Sequence, residues 1–99
     1  MGDQVDMTGI VTISHPVGLH ARPAIAFTKL AKSFAGADIQ IRGGDDKPWV
    51  DAKSIVRVMG LKLRTGAALQ IQASGADARA AIEALIALVK RDFDEHGQA

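Results

Sequence analysis

Residues 18–24 read GLHARPA and place a histidine, an arginine and a proline within four positions. The apolar residues that follow recur at helical spacing, so we predict that His20 lies at or beside the N-cap of a helix beginning near Ala21. The first N–H groups of a helix lack intrahelical partners and carry partial positive charge, which makes this end suited to anions. Pro23 fits the first turn, because its missing N–H would make no helical bond there.

The same location suits a nucleophile that handles phosphate. An imidazole attacks phosphorus only when it is neutral, and the positive end of a helix disfavours the imidazolium. After transfer, the helix dipole and the planar guanidinium of Arg22 would stabilise the negative charge of the bound phosphoryl group. The pattern therefore suggests a histidine that accepts and releases phosphate reversibly. The alternative is that His20 only caps the helix beside a solvated Arg22, and the spacing by itself does not decide between them.

The hydrophobic periodicity predicts seven elements in the order β-α-β-β-α-β-α. The predicted strands cover 10–14, 38–42, 49–53 and 68–73, and the predicted helices follow Ala21, Ser54 and Asp77, with Gly36 and Gly60 ending the first two. Asp77 is expected to cap the last helix, and GGDDKP at 43–48 is expected to close a hairpin. Strands with one apolar face beside amphipathic helices imply a two-layer α+β sandwich, with the helices on one side of a sheet.

Size and composition indicate one ordinary globular domain. The chain has 99 residues, 47% of them hydrophobic and 23% charged, so we expect a single domain over 1–99 with its core within about 10–92 and loose tails at 1–6 and 95–99. The absence of cysteine excludes disulfides and thiol catalysis. No secretory signal or membrane-spanning run is evident, so a cytoplasmic protein without membrane insertion is expected.

Charge is balanced overall but not along the chain. The net charge of +1 gives no general case for nucleic-acid binding, and an RNA- or DNA-binding α+β domain is further disfavoured by strands without paired aromatics. Basic residues without an intervening acid do occur between positions 52 and 76, namely Lys53, Arg57, Lys62 and Arg64. With Arg22, Lys29 and Lys32 they could form a basic face, or they could simply be solvated surface.

The motif GLHARPA, the later segment DAKSIVRVMGL and the order of elements together resemble HPr, the histidine phosphocarrier of the bacterial phosphoenolpyruvate-dependent sugar phosphotransferase system. The resemblance covers roughly residues 10–92. It implies an open-faced sandwich, with a four-stranded antiparallel sheet and three helices on one side. It also implies that His20 is phosphorylated on Nδ1 by phospho-enzyme I and passes the group to the A component of a sugar-specific transporter. By the same resemblance Arg22 contacts the phosphoryl group and Pro23 completes the motif.

The resemblance extends to a second residue, Ser54, at the start of the short helix. In many bacteria the matching serine is phosphorylated by an HPr kinase/phosphorylase using ATP, and the alternative here is that Ser54 is only a helix cap. Phosphate there would add about two negative charges and repel an acidic partner. The partner-binding residues implied are Ala21, Lys29, Lys32, Ile55, Val56, Arg57 and Met59.

Three positions depart from the family pattern. Val17 stands where the family often has Asn or Ser able to orient the active histidine, and Lys62 stands where many members have Gly. Trp49 lies on the third predicted strand, where small or polar residues are usual, and we interpret it as surface or edge packing. His15 is interpreted as a solvated strand-end residue, and His96 as part of the tail.

We therefore predict a monomeric phosphocarrier rather than a stand-alone enzyme, with no cofactor. No metal is expected, since His15 and His20 lack a third ligand at suitable spacing. Two alternatives keep the family and change the pathway: a nitrogen-regulatory paralogue, or the HPr module of a fructose or dihydroxyacetone multiphosphoryl transfer system. A third is a non-transferring regulatory module acting through Ser54 and its apolar neighbours, which the presence of His20 disfavours.

Overall fold

Four antiparallel strands form one sheet, in which the last strand of the chain lies between the first and the second and the third lies at the edge, with three helices packed on the sheet. The structure is a computed structural model and describes residues 7–94, so the predicted tails, including His96, lie outside the described residues. The elements are β1 (Met7–Thr12), α1 (Arg22–Lys32), β2 (Asp38–Arg42), β3 (Val50–Asp51), α2 (Ile55–Gly60), β4 (Ala68–Ser74) and α3 (Ala78–Lys90). The predicted α+β order and the antiparallel β2–β3 hairpin are confirmed.

The core lies between the apolar face of the sheet and the helices. Along β2 and β4 the side chains alternate, so that Ile39, Ile41, Leu69 and Ile71 are buried while their neighbours face outward. Helix α3 packs across β1 and β4, and α1 packs against both α3 and α2. The spacing of apolar residues after Asp77 predicts one buried face of α3, and every residue of that face is buried, namely Ala78, Ala81, Ile82, Leu85, Leu88 and Val89. On α1 the same holds for Ala24, Phe27 and Ala31, while Phe34 is half-buried beyond its end.

Several element boundaries differ from prediction. Strand β1 begins three residues before the predicted strand and ends at Thr12, because its register is set by pairing with β4, from Met7 opposite Ala73 onward. Strand β3 is an edge strand with only two paired residues. Helix α1 ends at Lys32, well before Gly36, with Ser33 at the C-cap.

The prediction that Asp77 is the N-cap of α3 is confirmed for its position but not for its side chain. Asp77 occupies the N-cap position of α3, but its carboxylate makes no capping hydrogen bond. It accepts instead from the backbone N–H of Gly36 at 3.0 Å. Gly36 therefore serves to let this carboxylate approach, since an added Cβ would lie 2.6 Å from Asp77 Oδ2.

Candidate functional site

The loop between β1 and α1 is fixed by hydrogen bonds to the segment before β4. Gly18 N–H donates to His15 O at 2.9 Å, closing a turn, and Leu19 N–H donates to Leu63 O at 2.9 Å. Thr65 Oγ1 donates to His15 O at 2.6 Å. Gly18 is required here, because its φ is +70° and an added Cβ would lie 2.4 Å from Leu63 O.

His20 emerges from this loop as an exposed side chain between two buried anchors. Leu19 is fully buried before it and Pro23 is fully buried after it, whereas His20, Ala21 and Arg22 are exposed. Ala21 is the N-cap of α1, and its φ of 52° and ψ of −119° lie in a region that residues with a Cβ rarely adopt. The predicted position of His20 beside the helix N-cap is confirmed.

The first turn of α1 presents unpaired positive groups at this point. No side chain caps the helix, and its first helical bond runs from Ile25 N–H to Ala21 O at 3.0 Å. The N–H groups of Arg22 and Ala24 therefore have no intrahelical acceptor, and Pro23 has no N–H to satisfy. The first turn holds no acidic residue, and the Arg22 guanidinium has no partner within residues 7–94. The arrangement can receive an anion.

Beside Arg22 lies an open cleft of about 420 Å³ between α1 and the end of α3. It is lined by His15, Arg22, Pro23, Ile25, Ala26, Asp92, Phe93 and Asp94. His20 does not line this cleft, and its side chain is exposed. The site is thus an exposed imidazole that a second protein can reach, not an enclosed pocket for a small substrate.

The predicted partner surface is only partly brought together. A mainly apolar groove of about 420 Å³ between α1 and α2 is lined by Ile25, Thr28, Lys29, Lys32 and Ile55. Val56 (74% exposed) and Arg57 lie on the outer side of α2, while Met59 is half-buried. Ile25 is 56% exposed on this surface. The sequence signal for this exposure is that Ile25 stands one position away from Ala24, off the buried face of α1.

Ser54 caps α2 as predicted. Its backbone is extended, with φ −108° and ψ 112°, and its Oγ accepts from Arg57 N–H at 3.3 Å. The side chain is half-buried, so a kinase would need access to a hydroxyl already engaged with the first turn.

The predicted basic face includes one residue that does not belong to it. Lys53 is half-buried, and its Nζ donates to the carbonyls of Phe34 and Ala37 at 3.0 and 2.7 Å, which ties the start of α2 to the end of α1. Arg57, Lys62 and Arg64 are exposed.

Two of the three departures from the family pattern have local structural explanations. Lys62 adopts a φ of 54°, so it holds the left-handed conformation for which Gly is best suited. Trp49 packs beneath the Arg42 guanidinium, 4.2 Å from Arg42 Cζ to the ring centre, at the hairpin edge of the sheet. This is the edge packing predicted for it.

His15 differs from the interpretation of a solvated strand-end residue. It is half-buried, its ring meets the Phe93 ring edge-on at 6.0 Å between centres, and its Nδ1 accepts from Val17 N–H at 3.1 Å. Local sequence gave no sign of Phe93, which is 78 residues away.

Within residues 7–94 there is no group of three or more histidine or acidic side chains that could hold a metal ion. Over the same residues, no helix has the length and apolar character needed to cross a membrane.

Comparison with known proteins agrees with the fold and the motif. The family described as "PTS HPr component phosphorylation site" matches residues 7–91. A phosphocarrier protein HPr of Cupriavidus necator is 38% identical over 84 residues, which cover 85% of this chain and 91% of that protein. A crystal structure of HPr from Thermoanaerobacter tengcongensis superposes with a TM-score of 0.82 at 35% identity, covering 90% of this chain and 97% of that one.

The relatives also include larger and differently named phosphocarriers. A multiphosphoryl transfer protein of Xanthomonas campestris is 39% identical over 94 residues, which cover 88% of this chain but only 11% of that protein. Phosphocarrier proteins called NPr are similar as well. The matched family model and the shared sheet and helices define a phosphocarrier of the phosphotransferase system. The chain belongs to the HPr family of phosphocarriers.

Proposed function

We propose that His20 is the residue that carries the phosphoryl group, taking it from phospho-enzyme I and passing it to the A component of a phosphotransferase-system transporter. The observation that carries this proposal is the exposed imidazole of His20 directly before the uncapped N-terminus of α1, with the exposed Arg22 two residues on. In the transfer step a ring-nitrogen lone pair bonds to phosphorus while the bond from phosphorus to the donor breaks, its electron pair staying with the donor. The helix N–H groups and Arg22 then face a group of about two negative charges.

The direct test is phosphorylation by enzyme I and radiolabelled phosphoenolpyruvate. The parent chain should take up an acid-labile label that maps to the peptide containing His20, and His20→Ala should take up none. His15→Asn is the control for the other described histidine and should still be labelled. Equal labelling of the parent and His20→Ala would refute the assignment.

Arg22 should contribute by binding the phosphoryl oxygens with its planar fork of donors. We expect Arg22→Ala to slow transfer about tenfold and Arg22→Lys to recover only part of the rate, because an ammonium ion cannot make the bidentate contact. Arg79→Ala, on the exposed face of α3, removes an equal charge far from α1 in sequence and should leave the rate unchanged. Unchanged transfer in Arg22→Ala would remove Arg22 from the site.

The groove between α1 and α2 is proposed as the surface that meets both partners. Its floor is apolar and its rim carries Lys29 and Lys32, and the exposed Ile25 and Val56 extend the apolar patch on either side. Such a rim favours an acidic partner. Lys32→Glu should slow transfer most at low salt, whereas Lys90→Glu, on the exposed side of α3, should not.

Ser54 is proposed as a regulatory phosphorylation site for an HPr kinase/phosphorylase. Phosphate there would stand beside Val56 and Arg57 and repel an acidic partner from the groove. With ATP and the kinase, the parent and a Ser33→Ala control should gain an acid-stable phosphate and Ser54→Ala should not. An unlabelled parent would leave Ser54 with its capping role alone.

The pathway is proposed to be sugar transport in the cytoplasm, with the carrier acting as a monomer. The similarity to NPr and to a multiphosphoryl transfer protein keeps the nitrogen-regulatory and multidomain alternatives open. Comparing enzyme I of the sugar system with its nitrogen counterpart as phosphate donors separates the first alternative. A faster rate with the sugar enzyme supports the proposal, and a faster rate with the nitrogen enzyme favours the paralogue.

A further inference from the structure

We propose that His15 is a positioning residue for His20: its ring accepts a hydrogen bond that fixes the loop on which His20 is carried. This inference rests on the proposed transfer function of His20 and assigns the second histidine a role in the same step.

The hydrogen bond lies within one turn. Val17 N–H donates to His15 Nδ1 at 3.1 Å, and Gly18 N–H donates to His15 O at 2.9 Å. His15 therefore accepts hydrogen bonds from the amides two and three residues after it, one through its ring and one through its carbonyl. A ring nitrogen that accepts carries no proton, so the proton of the neutral ring is on Nε2. Asn and Asp form the same bond to the amide two residues on when they begin a turn. His15 therefore acts here as an Asx-type residue.

The ring is held from its other side by the end of α3. Phe93 is buried and meets the ring edge-on, 6.0 Å between ring centres at 70°. Asp92 accepts a hydrogen bond from the hydroxyl of Ser14, next to His15. The charged groups that share the cleft with His15 are Arg22, Asp92 and Asp94. These contacts set the ring orientation that directs Nδ1 at Val17 N–H.

The turn reaches His20 through two backbone steps. Leu19, fully buried, is fixed by its bond to Leu63 O, and His20 follows it directly. The His20 ring makes no hydrogen bond within residues 7–94, so no side-chain hydrogen bond from that part of the chain orients it, and its placement depends on the backbone that carries it. Val17 is exposed and its apolar side chain forms no hydrogen bond, so only its backbone N–H can hold the loop. This N–H donates to His15 Nδ1.

The test compares His15→Asn with His15→Leu. Asn Oδ1 is as many bonds from the backbone as His Nδ1 and can accept from Val17 N–H, whereas Leu fills similar space against Phe93 but accepts nothing. Initial rates of phosphorylation by limiting phospho-enzyme I should fall about fivefold in His15→Leu, the change expected from one net hydrogen bond, and return to within about twofold of the parent in His15→Asn. Equal rates in the parent and His15→Leu, or equal losses in both variants, would overturn the proposal.

Nitrogen-15 NMR of the unphosphorylated parent provides a measurement that needs neither a variant nor activity. It should show Nδ1 of His15 unprotonated and Nε2 carrying the proton, and a proton on Nδ1 would overturn the proposal even where His15→Leu fails to fold. In the variants, the Val17 amide and His20 ring signals should shift in His15→Leu and return in His15→Asn. If the parent takes no label from enzyme I, the proposed function fails, and these signals still decide whether His15 positions the loop.

Discussion

Replacing Gly18 by Ala tests whether the loop that carries His20 is held by backbone contact. Gly18 has a φ of +70°, which costs a residue with a Cβ about 1–2 kcal/mol. The new Cβ would also lie 2.4 Å from Leu63 O and 2.9 Å from Arg64 Cα, both backbone atoms that cannot rotate away. Moving Leu63 O weakens its bond from the buried Leu19 N–H, which costs about 1–3 kcal/mol. We therefore expect the free energy of unfolding to fall by about 2–5 kcal/mol.

Two other glycines separate the causes of this loss. Gly66 has a φ of +93° with nothing within 4 Å of an added Cβ, so Gly66→Ala should show only the conformational cost of about 1–2 kcal/mol. Gly60 ends α2 without a positive φ or a neighbour within 4 Å, so Gly60→Ala should stabilise by about 0.5–1 kcal/mol.

Urea unfolding followed by circular dichroism measures all three variants, with thermal melts as a second reading. The loss in Gly18→Ala corresponds to a fall in Tm of roughly 10–25 °C for a domain of this size. A Gly18→Ala loss no larger than that of Gly66→Ala would refute the contact with Leu63 as the cause. At a temperature where it remains folded, Gly18→Ala should also transfer phosphate more slowly than the equally folded Gly66→Ala.

Three further stability predictions can be checked by the same urea unfolding. Ser54→Ala should lose about 1 kcal/mol because Arg57 N–H loses its acceptor, while Ser54→Asp should retain the cap; equal losses would contradict the capping role. Lys62→Gly should gain about 0.5–1 kcal/mol by removing the cost of a φ of 54°, and no gain would show that the left-handed conformation is unstrained. Lys53→Met should lose about 1–3 kcal/mol because two carbonyls after α1 lose a charged donor, and an unchanged midpoint would show that these bonds are exchanged freely with water.

The parts of the fold that depend on periodicity could be predicted from sequence. The buried face of α3 and the bounds of β2 follow from residues that are close along the chain, and the structure has them as predicted. The start of β1 could not be predicted, because it is decided by the register with β4. The hydrogen bond of Asp77 could not be predicted either, because its carboxylate accepts from the amide of Gly36, 41 residues away, and not from the first turn of α3.

The candidate site divides in the same way. The placement of His20 before α1 follows from local signals, because the helix start is marked by Pro23 and by apolar spacing. The contacts of His15 with Phe93, and of Lys53 with carbonyls after α1, join segments that only the tertiary fold brings together. Residue type alone therefore does not show whether the charge of a lysine or the lone pair of a histidine is available for binding or is already used in a tertiary contact.

The exposure of His20 has a consequence for how the carrier is built. Under the proposed function, two different proteins must reach the His20 imidazole, so side chains cannot surround and orient it without also blocking the partner. The ring can instead be positioned by fixing the backbone before and after His20. Leu19 and Pro23 are the buried residues at these two points. Fixing the backbone in advance lowers the ordering cost of each encounter, whichever partner arrives. The choice between partners must then come from the surrounding surface, where Ile25 and Val56 are exposed. Substitutions there should change the ratio of the transfer rates with the two partners, whereas substitutions in the loop should slow transfer with both partners.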